Sequence, residues 1–327
     1  MSVDINGVGR TNANIFGFDC LLEDAEIVIV PFSWDVSCSF GKGTRYAPEA
    51  ILKASSQLDF YHPNKQNSLE GKVFMQKETP FILEESKYLG VLAEDIFQSL
   101  ESGLILKDYQ KDNLDRINKR TADWLSIKEQ QISELLDNGK KVILLGGEHA
   151  CTLSYLRALE KRTEEYGILQ IDAHMDMREA YAGFKFSHAS VMYNALELNN
   201  KTIVQIGVRD CAPIEVEYSK KKNVRTFFNL SIKEKLFAGD TWKNIVDEIL
   251  SVLPSNVYLT LDIDGLDPSF CPNTGTPVPG GLSYDQCVYL INRTLKEKNV
   301  VGLDLMEVGS NPLDANIGAR LLLNFVH

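Results

Sequence analysis

The chain has 327 residues, 44% of them hydrophobic, and a formal charge of −11 at pH 7. That length and apolar content can bury a large core in one α/β domain spanning 1–327, with 1–25 as an N-terminal arm. The negative balance disfavours nucleic acid or an anionic membrane as partner and suits a small cationic substrate. No Pro/Ser-rich or charge-block linker and no internal repeat divides the chain. Its six cysteines, at 20, 38, 151, 211, 271 and 287, have no paired or zinc-type spacing and read as reduced thiols. No apolar run approaches the roughly 18 residues of a membrane span, and the start lacks a basic stretch followed by an apolar one. The expectation is a soluble, unprocessed, cytoplasmic protein.

In chain order, Ile27 to Pro31 reads as the first strand, and residues 62–80 and 105–118 are polar enough to be long surface loops. Residues 119–138 read as a helix with Trp124, Ile127, Ile132, Leu135 and Leu136 on its apolar face, stopping at Gly139. A strand over 141–145 is followed by a helix from Thr152 to Arg162, then by strands at 168–172 and Thr202 to Gly207. Asp240 or Thr241 caps a helix that ends before Pro254; a strand covers 257–262. Ser283-Tyr284-Asp285-Gln286 has the capping-box pattern at the start of another helix, and Val300 to Leu305 reads as the last strand. This alternation predicts a layered α/β fold with a mostly parallel sheet.

Three of these strands end in ligand chemistry. Lys141 to Leu145 runs into Gly146-Gly147-Glu148-His149, Gly167 to Ile171 into Asp172-Ala173-His174-Met175-Asp176, and Val257 to Leu261 into Asp262-Ile263-Asp264. If the backbone stays extended past Ile171, Asp172, His174 and Asp176 share one face. Only five histidines occur, and those at 149, 174 and 188 lie at or just beyond strand ends. Parallel sheets bind ligands at the carboxyl edge of the strands, so these distant residues are expected to meet in one crevice. Buried ionised carboxylates need cations, although a strand running out into a solvated acidic turn would also fit the pentapeptide alone. The six candidates, His149, Asp172, His174, Asp176, Asp262 and Asp264, exceed what one divalent ion needs, and two ions roughly 3.5–4 Å apart fit better. Oxygen-rich, thiolate-free ligation favours Mn²⁺ over zinc or copper-type sites, with Mg²⁺, Fe²⁺, Co²⁺ and Ni²⁺ also compatible. Such a pair lowers the pKa of a shared water, as a single zinc does when it brings water to about 7.

In this order across 142–268, Gly-Gly-Glu-His, Asp-Ala-His-Met-Asp and Asp-Ile-Asp-Gly-Leu-Asp-Pro resemble the motifs of the arginase/agmatinase (ureohydrolase) family. Gly43-Thr44-Arg45-Tyr46-Ala47-Pro48-Glu49-Ala50-Ile51 and the glycine-rich loop from Thr274 to Gly281 extend the resemblance to nearly the whole chain. The resemblance implies a three-layer αβα sandwich, two Mn²⁺ per subunit held at the six positions above, and a homo-oligomer, trimer or hexamer. It also implies hydrolysis of a guanidino compound to urea and an amine. Glu307 would pair with the guanidinium nitrogens, Asp176 would pass a proton to the leaving amine, and His188 would relay protons to solvent.

Duller readings accompany these roles: Glu307 as an exposed strand-end carboxylate, His188 as a helix cap or a ring packed on Tyr181. Asp267 and Asp304 are read as turn-forming or supporting residues, Arg209-Asp210 as an internal ion pair, and the loop 275–281, with two prolines, as a rigid rim. Met177 to Phe186 resembles the agmatinase-type version of that segment, which makes agmatine the first-choice substrate and putrescine its product. Arg178 or Lys185 receiving a carboxylate would instead admit guanidinobutyrate, arginine or formimidoylglutamate. The spacing from Glu307 to Pro312 and Asp314 departs from common agmatinases. Asp262-Ile263-Asp264 also resembles a dehalogenase-type phosphatase motif, but only 63 residues follow Asp264 (327 − 264), too few for that core. A single-zinc deacetylase has no use for His149. A non-catalytic assembly subunit would have little reason to keep all six ligands.

Overall fold

Short runs of Val, Ile and Leu that are apolar throughout, not alternating, form a sheet covered on both faces. The computed structural model describes residues 9–60, 72–162, 165–198 and 201–326. Its strands are β1 (Ile27–Phe32), β2 (Val73–Met75), β3 (Lys141–Gly146), β4 (Tyr166–Ile171), β5 (Lys201–Ile206), β6 (Arg225–Phe227), β7 (Asn256–Asp262) and β8 (Asn299–Met306). They lie in the order β2-β1-β3-β8-β7-β4-β5-β6, and every neighbouring pair is parallel. Successive side chains feed opposite cores: Val142 and Leu144 pack on one side of β3, Ile143 and Leu145 on the other.

One face carries α1 (Ala47–Ser55), α7 (Asn229–Phe237), α8 (Trp242–Ser251), α9 (Tyr284–Glu297) and α10 (Pro312–Val326), through residues such as Ile51, Ile232, Ile245, Leu290 and Leu322. The other carries α2 (Pro80–Glu101), α3 (Asp108–Asp137), α4 (Thr152–Glu160), α5 (Val191–Glu197) and α6 (Pro213–Lys221). The result is the expected three-layer αβα sandwich. From the arm, Ile15, Phe16 and Phe18 are buried in the α1-side core, and Asn14 brackets Met75, donating to its carbonyl and accepting from its N–H. No helix among the described residues is long and apolar enough to cross a membrane.

The two capped helices begin as read: the Thr241 hydroxyl accepts from Asn244 N–H, and Ser283 and Gln286 close a reciprocal capping box. The polar segments do not. Residues 105–118 were expected to be loop, yet α3 starts at Asp108 and runs 30 residues. Its buried stripe is narrow and partly polar, comprising Gln110, Ile117, Thr121, Trp124, Leu125, Lys128, Ile132 and Leu135, while Ile127 is half exposed. Lys128 hides from a hydrophobicity count because its ammonium donates to Pro31 carbonyl and to Glu78 while its stem is buried. Within the other expected loop, 62–71 lies outside the described residues, and 72–80 contains β2 and the first residue of α2.

Gly302 in β8 shows how tightly the centre is packed: a Cβ there would lie 2.7 Å from the Tyr155 ring and 3.0 Å from that of Tyr258. Gly302→Ala is expected to cost about 1–3 kcal/mol through overpacking, read as a lowered midpoint in denaturant unfolding.

Candidate metal centre and adjoining cleft

The sheet order puts β3, β8, β7 and β4 side by side. Their carboxyl ends deliver His149, Glu307, the Asp262/Asp264 pair and the 172–176 segment to one edge, so residues 158 positions apart in sequence come within hydrogen-bonding distance. All six expected ligands converge. His149 Nδ1 lies 3.0 Å from Asp172 Oδ2, 3.0 Å from Asp176 Oδ2 and 3.3 Å from Asp262 Oδ2. His174 Nδ1 lies 3.1 Å from Asp264 Oδ2 and 3.5 Å from Asp172 Oδ1. Two ligand groups result, His149/Asp172/Asp176 and His174/Asp172/Asp264, with Asp172 offering one oxygen to each.

The orientation of His149 tests whether a cation belongs here. The Thr260 hydroxyl donates to Asp304 Oδ1 at 2.7 Å, so its oxygen accepts from His149 Nε2–H at 2.8 Å. Nδ1 is thereby left with a lone pair aimed at three carboxylates, and it is a buried nitrogen without a hydrogen-bond partner. A ring held this way is repelled by its surroundings unless positive charge sits on or beside Nδ1. Burial alone would depress the pKa of His149, but Asp172, Asp176 and Asp262 outweigh it and hold the imidazole well above its ordinary value. His174 behaves alike, pushed up to about 12 by Asp264 and Asp172 against burial. Burial and the Asp172 charge push Asp176 up to about 7; burial and Asp264 raise Asp262 well above the carboxylate range. Two divalent ions would satisfy these donors together, and the residues fit them.

The 172–176 segment reaches the site differently from the sequence reading. β4 ends at Ile171, the chain bends, and Asp176 is left-handed at φ 53°. The bend is fixed from outside, by Asp172 N–H on Ile206 carbonyl and by Arg209 N–H on Ala173 carbonyl. Two-residue alternation survives it: Ala173 and Met175 are fully buried while the three polar residues face the metal centre.

Glu307 is not an exposed strand-end acid. Its Oε1 accepts from His149 N–H at 2.9 Å, and Oε2 is buried without a partner. Gly275 stands beside that oxygen, where a Cβ would come within 3.1 Å. Burial, then the nearby Glu148, holds Glu307 well above the usual carboxylate range. The site carries a carboxylate half satisfied and short of a cation. Pro312 opens α10, and Asp314 accepts from Asn273 N–H at 3.0 Å, tying the wall behind Glu307 to the glycine-rich loop.

Outward from the metal centre a cleft of about 150 Å³ is lined by His174, Asp176, His188, Tyr181, Arg178 and the buried Glu215, with the exposed Asp210 marking its mouth. His188 meets the Tyr181 ring edge-on at 5.7 Å, so the packing role and the cleft position hold together. Burial and the positive histidines behind it lower His188 to about 4. Arg209 and Asp210 do not pair: every Arg209 donor goes to a backbone carbonyl, including Asp264, Leu266 and Val278, which braces the loop as a rim. Asp210 is left exposed, with neither hydrogen bond nor ion pair on its carboxylate among the described residues. Arg178 is occupied, 3.6 Å from Glu215 and 5.2 Å over the Tyr181 ring, and Lys185 does not line the cleft. Asp304 supports His149 through Thr260, and Asp267 forms a turn with Ser269 N–H, both as read.

Sequence reasoning missed the supports beneath the cleft. Glu148 is fully buried, raised to about 8 by burial, and accepts from the Ser37 hydroxyl and amide. Asp35 is also buried, bonding Gly43 and Arg45 N–H groups and the Arg45 guanidinium, which pins the 33–45 segment. Glu148 adjoined the motif and was readable as more than a spacer; Asp35 and Ser37 carried no local signal.

A family model described as the arginase family matches residues 25–327. An N(1)-aminopropylagmatine ureohydrolase of Thermus thermophilus is 32% identical over 293 residues, 90% of this chain and 86% of that protein. An agmatinase of Bacillus anthracis is 30% identical over 292 residues, 88% of this chain and 84% of that protein. In fold, the agmatine ureohydrolase of Thermoplasma volcanium superposes with a TM-score of 0.71 at 24% identity, covering 100% of this chain and 94% of that one.

After metal loading, Asp172→Ala, which removes the residue shared by both ligand groups, is expected to retain the least metal and His174→Ala, which touches one group, an intermediate amount, read by elemental analysis after gel filtration. Thr260→Val should weaken metal binding about 10–100-fold while leaving the ligand set intact. The carboxylates raise the proton affinity of His149 and His174, so entering metal must displace those protons. Apparent affinity should therefore fall as pH falls, by up to about tenfold per unit for each proton displaced, measurable by calorimetric titration.

Proposed function

The chain belongs to the arginase family, and from that premise we propose that it hydrolyses a guanidino compound with a cationic tail, agmatine in the first instance, to urea and putrescine. The observation that carries this reading is the pairing of a convergent two-metal ligand cluster with the half-satisfied Glu307 carboxylate behind it. A guanidinium stays protonated at any ordinary pH, presents N–H pairs in one plane, and supplies the cation that Glu307 lacks. His149, Asp172, Asp176 and Asp262 would hold one ion, and His174, Asp172 and Asp264 the other. Oxygen-rich donors without thiolate favour manganese. When bound, two such ions neutralise the carboxylates and acidify water at neutral pH.

The protein's own groups then divide the work. Glu307, fixed by the His149 amide, orients the guanidinium through its free Oε2. Asp176, at the junction of the metal centre and the cleft, accepts a proton from the attacking water and delivers it to the departing amine. His188, lining the outer cleft, relays to solvent the water's second proton, which is released as the added hydroxyl becomes the urea carbonyl.

The tail preference rests on the mouth. Asp210 is a free carboxylate there, whereas Arg178 is engaged by Glu215 and Lys185 lies elsewhere. A cationic tail gains a partner; the carboxylates of guanidinobutyrate, arginine or formimidoylglutamate would meet net negative charge. A second reading, an aminopropyl-extended agmatine, is favoured by the Thermus relative and by the same mouth, which is exposed at Asp210. A complete ligand set supports an active enzyme over a silent assembly subunit. A cytoplasmic trimer or hexamer is part of this proposal.

Urea release measured after Mn²⁺ loading should be greatest with agmatine or its aminopropyl derivative and weak with anionic-tail guanidines; the reverse order refutes the tail assignment. Glu307→Gln should lower kcat/KM about 10–100-fold, the worth of one charge-assisted hydrogen bond, with both ions retained. Asp210→Asn should raise KM for agmatine about fivefold with kcat unchanged and narrow the gap to guanidinobutyrate.

A further inference from the structure

We propose that Ser37 is a positioning residue that fixes His188 in its Nδ1–H tautomer, leaving the Nε2 lone pair as the proton acceptor. This rests on the reading that His188 exchanges protons in the cleft, and goes beyond it by naming what sets the ring's chemistry. Ser37 is buried, and three polar atoms crowd its single hydroxyl. Glu148 Oε2 lies 2.6 Å from Ser37 Oγ, the His188 amide nitrogen 3.0 Å and His188 Nδ1 3.3 Å.

Proton counting decides among them. The hydroxyl has one hydrogen, and the short contact to a carboxyl oxygen claims it. Glu148 Oε2 already accepts the Ser37 amide at 2.8 Å, so a proton on Glu148 resides on Oε1, which has no hydrogen-bond partner. The two lone pairs of Oγ are then left to accept, one from the His188 amide and one from Nδ1. Nδ1 must therefore carry the ring hydrogen of neutral His188. Nε2 lies on the opposite edge of a ring that lines the cleft, and it makes no hydrogen bond to protein among the described residues.

Ser37 cannot drift to evade this constraint. It is held between Trp34, whose carbonyl accepts from Glu148 N–H, and the Asp35 carboxylate that binds the Gly43 and Arg45 amides, with Gly41 N–H on Gly275 carbonyl. The chain from Glu148 through Ser37 to His188 links β3 to the segment before α5 with no mobile group between.

The first test needs no variant: ¹⁵N-histidine NMR of the Mg²⁺-loaded enzyme should show His188 with Nδ1 protonated and Nε2 unprotonated. The opposite tautomer overturns the proposal. Kinetics supply the second test in the Mn²⁺-loaded enzyme. Ser37→Ala should lower kcat about tenfold with KM within twofold and both ions retained, shift the ring toward Nε2–H, and be rescued by Ser37→Thr. In a His188→Asn background the same change should cost nothing further; an equal loss there makes Ser37 merely structural and overturns the assignment. A wild-type rate in His188→Asn overturns the role of His188 and that of Ser37 with it. A lowered rate in His188→Asn together with the wrong tautomer overturns Ser37 alone.

Discussion

Negative charge gathered around one imidazole edge is the constraint on which the rest depends. Asp172, Asp176 and Asp262 point oxygens at His149 Nδ1, while Thr260 and Asp304 force that nitrogen to face them. Without cations the cluster is a liability, since ionised carboxylates in a buried site repel one another and lose hydration. With cations the same crowding would become affinity, and Asp172, which turns one oxygen toward each of the two ligand groups, would tie them into one unit. Metal binding and the local stability of the strand ends are therefore coupled.

The parallel sheet makes this assembly cheap to build. Four adjacent strands end at one edge, so each ligand needs only to sit at a strand terminus, where backbone direction is already fixed. β7 and β8 come last in the sequence yet lie between β3 and β4 in the sheet, which brings Glu307 and the Asp262/Asp264 pair between the ends of the earlier strands. Around that edge, loops hold one another: Arg209 grips the glycine-rich rim by its carbonyls, and the rim in turn contacts the 33–45 segment through Gly41 and Gly275. A guanidinium is used here as mortar, not as a recognition group, because each of its three nitrogens already donates to backbone carbonyls.

What could be read from sequence follows from this geometry. The ligands were legible because each closes an apolar run, and strand identity propagates to side-chain direction at its end. Asp210 was misread because adjacency to Arg209 suggests an ion pair, while the fold sends the guanidinium back toward carbonyls. Asp35, Ser37 and the Lys128–Glu78 pair were invisible for a related reason: their meaning lies in partners 8 to 151 positions away, and nothing in local composition marks them. Helix α3 was cut short because a stripe containing Thr121 and Lys128 has no clean apolar period.

Backbone strain completes the picture. Among described non-glycine residues with left-handed φ, Asp176 (53°) and Glu307 (60°) are two of five, and Ala182 (52°) directly follows the cleft residue Tyr181. Neither a carboxylate nor its Cβ prefers that region, and each such residue costs on the order of 1 kcal/mol. Glycine would relieve the strain at both sites, yet it would remove the carboxylate that faces the metal centre or the guanidinium. The distortion persists because neighbours over-determine it: Asp176 carbonyl accepts from Met192 and Tyr193, and Glu307 is fixed by Gly147 carbonyl on its N–H and the Thr274 hydroxyl on its carbonyl. Stability is thus surrendered at the two acids that must point inward, and recovered in the packed strands immediately behind them.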